Sequence, residues 1–454
     1  MDQNGTKKKE GVSFATGLMC LAALFGIWLV LGMFINPNGS GSGEFTSYRG
    51  PVLPMTSLNG AEGVEVQRNV NFDFSPYGTP GDYAHVGKGA ARITDTYRFT
   101  NTTGQTQTLE LVYGFQGQFI DHPDEFPAIT VDGVTVEPVL YPSVDTASLV
   151  WYAHNFEKYA DVLQAHDFLS VAMEGPALAD TPVTVYHFTD LAYTGDELAP
   201  YPMLMVSFSK GEGVSLWTEE VAGISTDEKT GTQTLLFRVD RGEAWLIAQG
   251  GEPENMTISG NKDYNLKEEH VIDGVIYQLE TYQATLGAML ERFAAEYDFW
   301  SVEGNDYYPN PGLVTTEILV DGAAKRMASP DWAGAATGVQ SFHGLFAQVV
   351  TEVRMMYLVF PVELAPGQSV TVEATYIQEP SVDSGGPKEY REGYELATKL
   401  GSDLNFTALT SSLSHTSVIE LGKQNFGFDL ERGITNVTLD LNVERYYLEV
   451  RIKK

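Results

Sequence analysis

The chain has one cysteine, Cys20, in 454 residues. No disulfide can form within it, and past that position every mechanism built on a thiolate nucleophile or a thiolate zinc site is excluded. Animal ectodomains of this size usually carry disulfides, so a cysteine-free exported body points to a bacterium. Basic residues are scarce as well: 28 Lys and Arg stand against 60 Asp and Glu, giving a formal net charge of −32. Phosphate backbones and anionic lipid headgroups repel such a chain, and nucleic acid is not expected as a partner. Catalytic signatures are also missing: H-E-x-x-H, G-x-S-x-G, a P-loop and a dinucleotide fingerprint are all absent. Core material is not missing. With 43% hydrophobic and 11% aromatic residues, wholesale disorder is excluded.

One stretch, Val12–Ile35, is long, apolar and uncharged. About 20 such residues in a helix cross a hydrocarbon core of ~30 Å. Lys7, Lys8 and Lys9 precede it, and no Lys or Arg follows before Arg49. The sequence therefore predicts a cytoplasmic tail (1–11), a transmembrane anchor in the lipid bilayer (12–35) and a Gly/Ser/Pro-rich spacer (36–55). Everything after the spacer is expected outside the cell. The alternative is a cleaved signal with release of the body, cut within Ser40–Gly43. Against it, the apolar run exceeds a signal h-region and ends without an A-x-A-like site.

The body reads as mainly β, with two or three immunoglobulin-like β-sandwich modules and a few packed helices. Three regions are expected: a first sandwich-like region (56–150), a middle α+β region (151–300) and a C-terminal β-rich region (301–454). Period-2 alternation of Ile93, Tyr97 and Phe99, then of Leu109, Leu111, Tyr113 and Phe115, predicts two strands forming a hairpin around Asn101–Gly104. Asp132-Gly133, between Ile129/Val131 and Val134/Val136, predicts a type I′ hairpin. Helical spacing predicts a helix over Asn155–Leu169 and a longer one over Tyr282–Trp300, the latter with Leu286, Met289, Leu290, Phe293, Tyr297 and Trp300 on one face. A weaker helix, carrying Gly322, is expected in LVTTEILVDGAAKRM. The run VVTEVRMMYLVFPVEL reads as one buried strand, and Pro366-Gly367 as a turn. Near the end, Tyr446, Leu448, Val450 and Ile452 share an inward face.

Candidate chemistry is thin. Eight histidines are scattered, and none pairs with another at metal-ligand spacing. His122–Glu125 and His154–Glu157 read as loops or helix starts, His166 as a packed side chain, and Asp227–Gly231 as a hairpin end rather than a calcium loop. No metal, cofactor or catalytic residue is assigned. Paired carboxylates for glycoside hydrolysis carry no local motif and stay open. Trp151, Tyr307, Tyr308 and Trp332 are aromatics suited to stacking on sugars, though packing accounts for each. Sequons begin at Asn101, Asn255, Asn405 and Asn436.

The short basic tail, single span, spacer and acidic cysteine-free β body resemble anchored surface proteins of low-GC Gram-positive, Clostridia-like bacteria. The segments TKLGSDLNFTALTSSL and QNFGFDLERGITNVTLDLNVERYYLEV look like the end of such a protein. VELAPGQSVTVEATY is similar to strand–turn–strand units of bacterial immunoglobulin-like modules. The resemblance supplies no functional residue. It implies a non-enzymatic binding, assembly or accessory role at the envelope, with a protein or polysaccharide partner. The alternative is an extracellular carboxylate-dependent hydrolase of carbohydrate or wall polymer.

Overall fold

A computed structural model describes residues 49–76, 89–121, 125–142, 163, 180–195, 199–209, 211, 213–227, 229–265, 270–297, 314–328, 339–383 and 391–453. The chain is mainly β, with three α-helices among the described residues. None of these helices is long and apolar enough to cross a membrane, and Val12–Ile35 lies outside the described residues.

The described strands make five sheets. A seven-stranded sheet runs in the order Asn436–Thr438, Asn405–Ser414, Val64–Asp73, Ala91–Asn101, Ser369–Gln378, Ala128–Val131, Val134–Thr135. A four-stranded sheet runs Thr56–Ser57, Gln107–Gly117, Arg354–Leu364, Val139–Pro142. A terminal sheet joins Pro51–Val52, Arg391–Ala397, Arg445–Ile452 and Ile419–Gln424, with Ser381–Asp383 at its side. Their apolar faces share one core, in which Val66, Phe72 and Phe99 of the first sheet meet Leu111 and Tyr113 of the second and Leu396 and Leu448 of the third. Within these three sheets two pairings are parallel, Val64–Asp73 with Asn405–Ser414 and Pro51–Val52 with Arg391–Ala397. Parallel neighbours need long crossovers, so these sheets are shared between the expected first and last regions rather than built from consecutive segments.

The expected hairpin over residues 93–115 does not form. Ala91–Asn101 pairs with Val64–Asp73 and Ser369–Gln378, whereas Gln107–Gly117 pairs with Arg354–Leu364 in the other sheet. The loop is an arch between sheets, and Leu364 to Ser369 makes a second arch beside it. An arch and a hairpin share the same alternation, because each strand presents one apolar face to the core in both. Asn101, fully buried, clamps the two arches together. Its Nδ2 donates to the carbonyls of Gln105 (2.7 Å), Leu364 (3.1 Å) and Ala365 (3.1 Å). The Asp132-Gly133 hairpin does form, with Val131 opposite Val134 and φ of 50° and 78° at the two turn residues.

Between Val139–Pro142 and Arg354–Leu364, which pair with each other, lies the middle of the chain. Its inner sheet runs Val275–Thr285, Pro182–Tyr193, Ala244–Gln249, Ser215–Thr218, Val339–Ser341. Its outer sheet runs Gly223–Thr226, Thr232–Arg238, Met203–Ser209, Glu254–Asn261, Val271–Ile272. Phe188, Leu216 and Leu246 of the inner sheet pack on Leu204, Val206 and Phe237 of the outer one. The opposite face of the inner sheet, with Val185, Trp217 and Trp245, packs on helices α1 (Leu286–Glu296), α2 (Thr316–Ala328) and α3 (Phe342–Thr351). The result is three layers, sheet on sheet on helices.

Helix boundaries differ from expectation in two places. Tyr282–Thr285 belongs to a strand, and α1 starts only at Leu286, where the Thr285 hydroxyl accepts the Ala288 N–H (3.2 Å) as an N-cap. Of the expected stripe, Leu286, Met289, Leu290 and Phe293 are buried, Tyr297 is half-buried just past the end of α1 at Glu296, and Trp300 lies outside the described residues. The run VVTEVRMMYLVFPVEL is not one strand: Val349 and Val350 end α3, and the strand begins at Arg354. An unbroken apolar run conceals such a switch in period. Gly322 sits in α2 where a Cβ would lie 2.8 Å from Val349 Cγ1, so its absence lets α2 and α3 approach. Of the expected helix Asn155–Leu169, only Leu163 lies within the described residues, where it is helical and buried.

Candidate functional site

On the helix-covered face of the inner sheet, the alternation that buries Val183 and Val185 places His187 next along the strand. Strand register sets it opposite Trp245. The two rings stack at a centroid distance of 3.4 Å and an angle of 11°. The Arg292 guanidinium of α1 lies 4.3 Å from the same indole, and Phe293 meets it edge-on at 5.6 Å. Trp245 is thereby sealed, with 1% exposed.

Around this stack lies a rim of titratable groups. His187 Nε2 is 2.8 Å from Glu243 Oε2. Glu219 follows the strand Ser215–Thr218, and its carbonyl accepts from the His343 N–H (3.0 Å) and the Ser341 hydroxyl (2.9 Å). The same hydroxyl accepts the Gly344 N–H and caps α3. Arg241 and Glu220 form an ion pair (Nη2–Oε2 2.5 Å). Burial raises the Glu219 carboxyl above the usual range and Glu243 adds to the rise, while Arg241 opposes it. Burial holds His343 below the usual imidazole range, against the pull of Glu220. Tyr297, its hydroxyl raised by burial, meets the His343 ring edge-on at 4.7 Å. Glu219, its carboxyl raised by burial, and the hydrogen-bonded Glu243–His187 pair are residue types that acid–base chemistry employs.

Among the described residues, no three His, Cys, Asp or Glu side chains stand close enough to hold a metal ion. His270 and His415 each bond one carboxylate, Asp263 at 2.8 Å and Asp73 at 2.6 Å, away from the rim. Asp227 accepts from the Lys229 N–H (2.9 Å) and the Thr230 hydroxyl (2.9 Å), closing the expected hairpin end. His122, His154, Glu157 and His166, with Trp151, Tyr307, Tyr308 and Trp332, lie outside the described residues. The rim carries no sequence motif, since its members come from three strands and two helices far apart in the chain. No protein-family model, no curated protein and no solved structure matches the chain.

Proposed function

We propose that this chain is a membrane-tethered extracellular protein with a non-enzymatic binding or assembly role, built from immunoglobulin-like sandwich modules behind an N-terminal transmembrane helix. The observation that carries the binding role is the strand Val275–Thr285. Among the described residues it pairs on one side only, with Pro182–Tyr193, and so forms an edge of the inner sheet. Ile276 (50%), Tyr277 (36%), Leu279 (38%) and Tyr282 (38%) are exposed along it. It contains no Lys, Arg or Pro, and Glu280 is its one charge. Natural edge strands are usually blunted by charge, proline or brevity, because an open edge templates further pairing. An eleven-residue edge with exposed apolar side chains suits strand addition by an extended segment of an envelope protein, with main-chain bonds giving affinity and the apolar side chains giving selectivity. The tether is supported by Val12–Ile35 and the lysines before it.

Photocrosslinkers placed at Tyr277 and at Ile224, an exposed residue of another edge strand, test this in cells that make the chain. Crosslinking to an envelope protein from position 277, weak from 224 and abolished by Leu279→Lys, supports the reading; equal yields from both positions sink it. Protease added to wall-stripped intact cells is expected to degrade the body. Full protection would show the topology to be reversed.

A second reading rests on the rim: a desolvated Glu219 near Glu243 and His187 fits a carboxylate-dependent hydrolase of carbohydrate. Release of reducing ends from purified wall polysaccharide, lost in both Glu219→Gln and Glu243→Gln, would establish it in place of the first.

A further inference from the structure

The open edge of the inner sheet, Val275–Thr285, is bordered by carboxylates. Its own charge, Glu280, is exposed, and that carboxylate has no hydrogen bond or ion pair among the described residues. Register sets Glu280 opposite His187, which Glu243 holds at 2.8 Å. Two residues along, Tyr282 lies on the same face, opposite Val185. At the bulge in the pairing, exposed Asp190 accepts from the Gln278 amide at 2.7 Å. Asp273, also exposed, stands just before the strand begins. One basic side chain, Arg292, opposes the upward effect of burial on the Tyr282 hydroxyl. That guanidinium is already engaged, lying 4.3 Å from Trp245 and 3.5 Å from Glu296.

An open edge offers main-chain N–H and C=O groups to any extended segment, so side chains must decide which segment is accepted. Between adjoining strands, opposite charges attract and like charges repel. A Lys or Arg opposite Glu280 meets its carboxylate and lies beside the Tyr282 ring, whose face attracts cations. A neutral segment covers the same carboxylate and returns nothing for the hydration it removes. An acidic segment meets Glu280, Asp190 and Asp273 with no compensation. The same repulsion counts against a second copy of this chain, which brings another Glu280 and a net charge of −32.

We propose that the segment received by this edge is basic: an extended strand of a second protein, with Lys or Arg opposite Glu280 and apolar side chains on its other face. This rests on the reading of Val275–Thr285 as a site of strand addition.

The test is fluorescence anisotropy with the full-length chain in detergent and labelled eleven-residue peptides, the length of the strand. Three peptides alternate Val with Lys, Gln or Glu. A fourth alternates Pro with Lys, which keeps the charge and removes the N–H of every proline. The Val/Lys peptide is expected to saturate, with the Val/Gln peptide about fivefold weaker and the Val/Glu peptide weaker still. Glu280→Gln, a surface change, is expected to close most of the gap between Val/Lys and Val/Gln, and Leu279→Lys to weaken both. Equal binding of Val/Lys and Val/Gln to the parent leaves strand addition standing and overturns the basic partner. Equal binding of Pro/Lys and Val/Lys, or a gap that Glu280→Gln leaves unchanged, marks diffuse attraction to an acidic body and overturns it as well. No binding by any peptide removes strand addition itself. Sedimentation showing a dimer that Leu279→Lys dissociates puts a second copy on the edge and overturns the proposal.

Discussion

Arg68 and Asp95, on adjacent strands of the seven-stranded sheet, meet in a two-point ion pair with neither side chain exposed: Nε lies 2.9 Å from Oδ1 and Nη2 2.7 Å from Oδ2. Each interrupts an otherwise apolar inward row, Val64, Val66, Val70 and Phe72 on one strand and Ile93, Tyr97 and Phe99 on the other. The remaining guanidinium hydrogens reach the carbonyls of Ala397 (2.7 Å), Thr398 (3.4 Å) and Leu53 (3.0 Å). Asp95 also accepts the Tyr97 hydroxyl at 2.7 Å, and Tyr97 in turn accepts the Met55 N–H at 2.9 Å. Burial works against the Arg68 charge, but Asp95, Tyr97 and Tyr113 together outweigh it and the guanidinium pKa is raised. The network pins two segments outside the sheet, Leu53–Met55 and Ala397–Thr398, to its centre.

Arg68→Met removes one charge and strands the other. A loss of about 3–5 kcal/mol is expected from guanidinium chloride unfolding, the usual range for breaking a buried pair. The double variant Arg68→Met/Asp95→Leu leaves no unpaired charge and is expected to recover much of this. A double variant no more stable than the single would assign the effect to the carbonyl contacts instead.

Asn101→Ala releases the clamp between the arches. Its amide makes three donations, and its Oδ1 accepts the Thr103 N–H (2.9 Å) and hydroxyl (2.7 Å). A cost of about 2–4 kcal/mol is expected, since buried carbonyls lose their donor. The same burial predicts a glycosylation pattern in a eukaryotic secretory host. Asn255, Asn405 and Asn436 are exposed and open to modification, whereas Asn101 stays bare, as peptide mass spectrometry would show.

Alternation in Ala91–Asn101, Gln107–Gly117 and Arg445–Ile452 made these strands legible from residue spacing alone, as did Asp132-Gly133 and the stripe of α1. Pairing was not legible, because period-2 spacing states which residues face the core and nothing about which strand lies alongside. The Asn101 arch and the parallel pairing of Val64–Asp73 with Asn405–Ser414 both fall in that gap. The rim was hidden for a related reason. His187 sits on one strand, Glu219 just after a second and Glu243 just before a third, and only the register of Trp245 with His187 brings them together.

Glu219→Gln tests whether the rim is strained. A carboxyl raised by burial and by Glu243 disfavours the folded state once it ionises, so the variant is expected to be the more stable protein at neutral pH. The difference should fade on acidification, when Glu219 takes up its proton. Equal stability at every pH would mean that the carboxyl is solvated.

Asp121 makes the same argument quantitative. Its carboxyl titrates at about 6 in the folded chain, chiefly through burial, against 3.8 for the ordinary group. The Gln118 N–H bond (2.5 Å) and Arg49 pull it down, and Glu379 pushes it up. Asp121 and Glu125 line one small cavity. Between the two values the native state keeps a proton that the unfolded chain has released. Stability contributed by this group therefore falls as pH rises from about 4 to about 6, and stays low above that. The full difference is on the order of 3 kcal/mol. Denaturant unfolding is expected to show this decline as the excess slope of the parent over Asp121→Asn, with the variant more stable above pH 6. Identical slopes would place Asp121 in contact with bulk water.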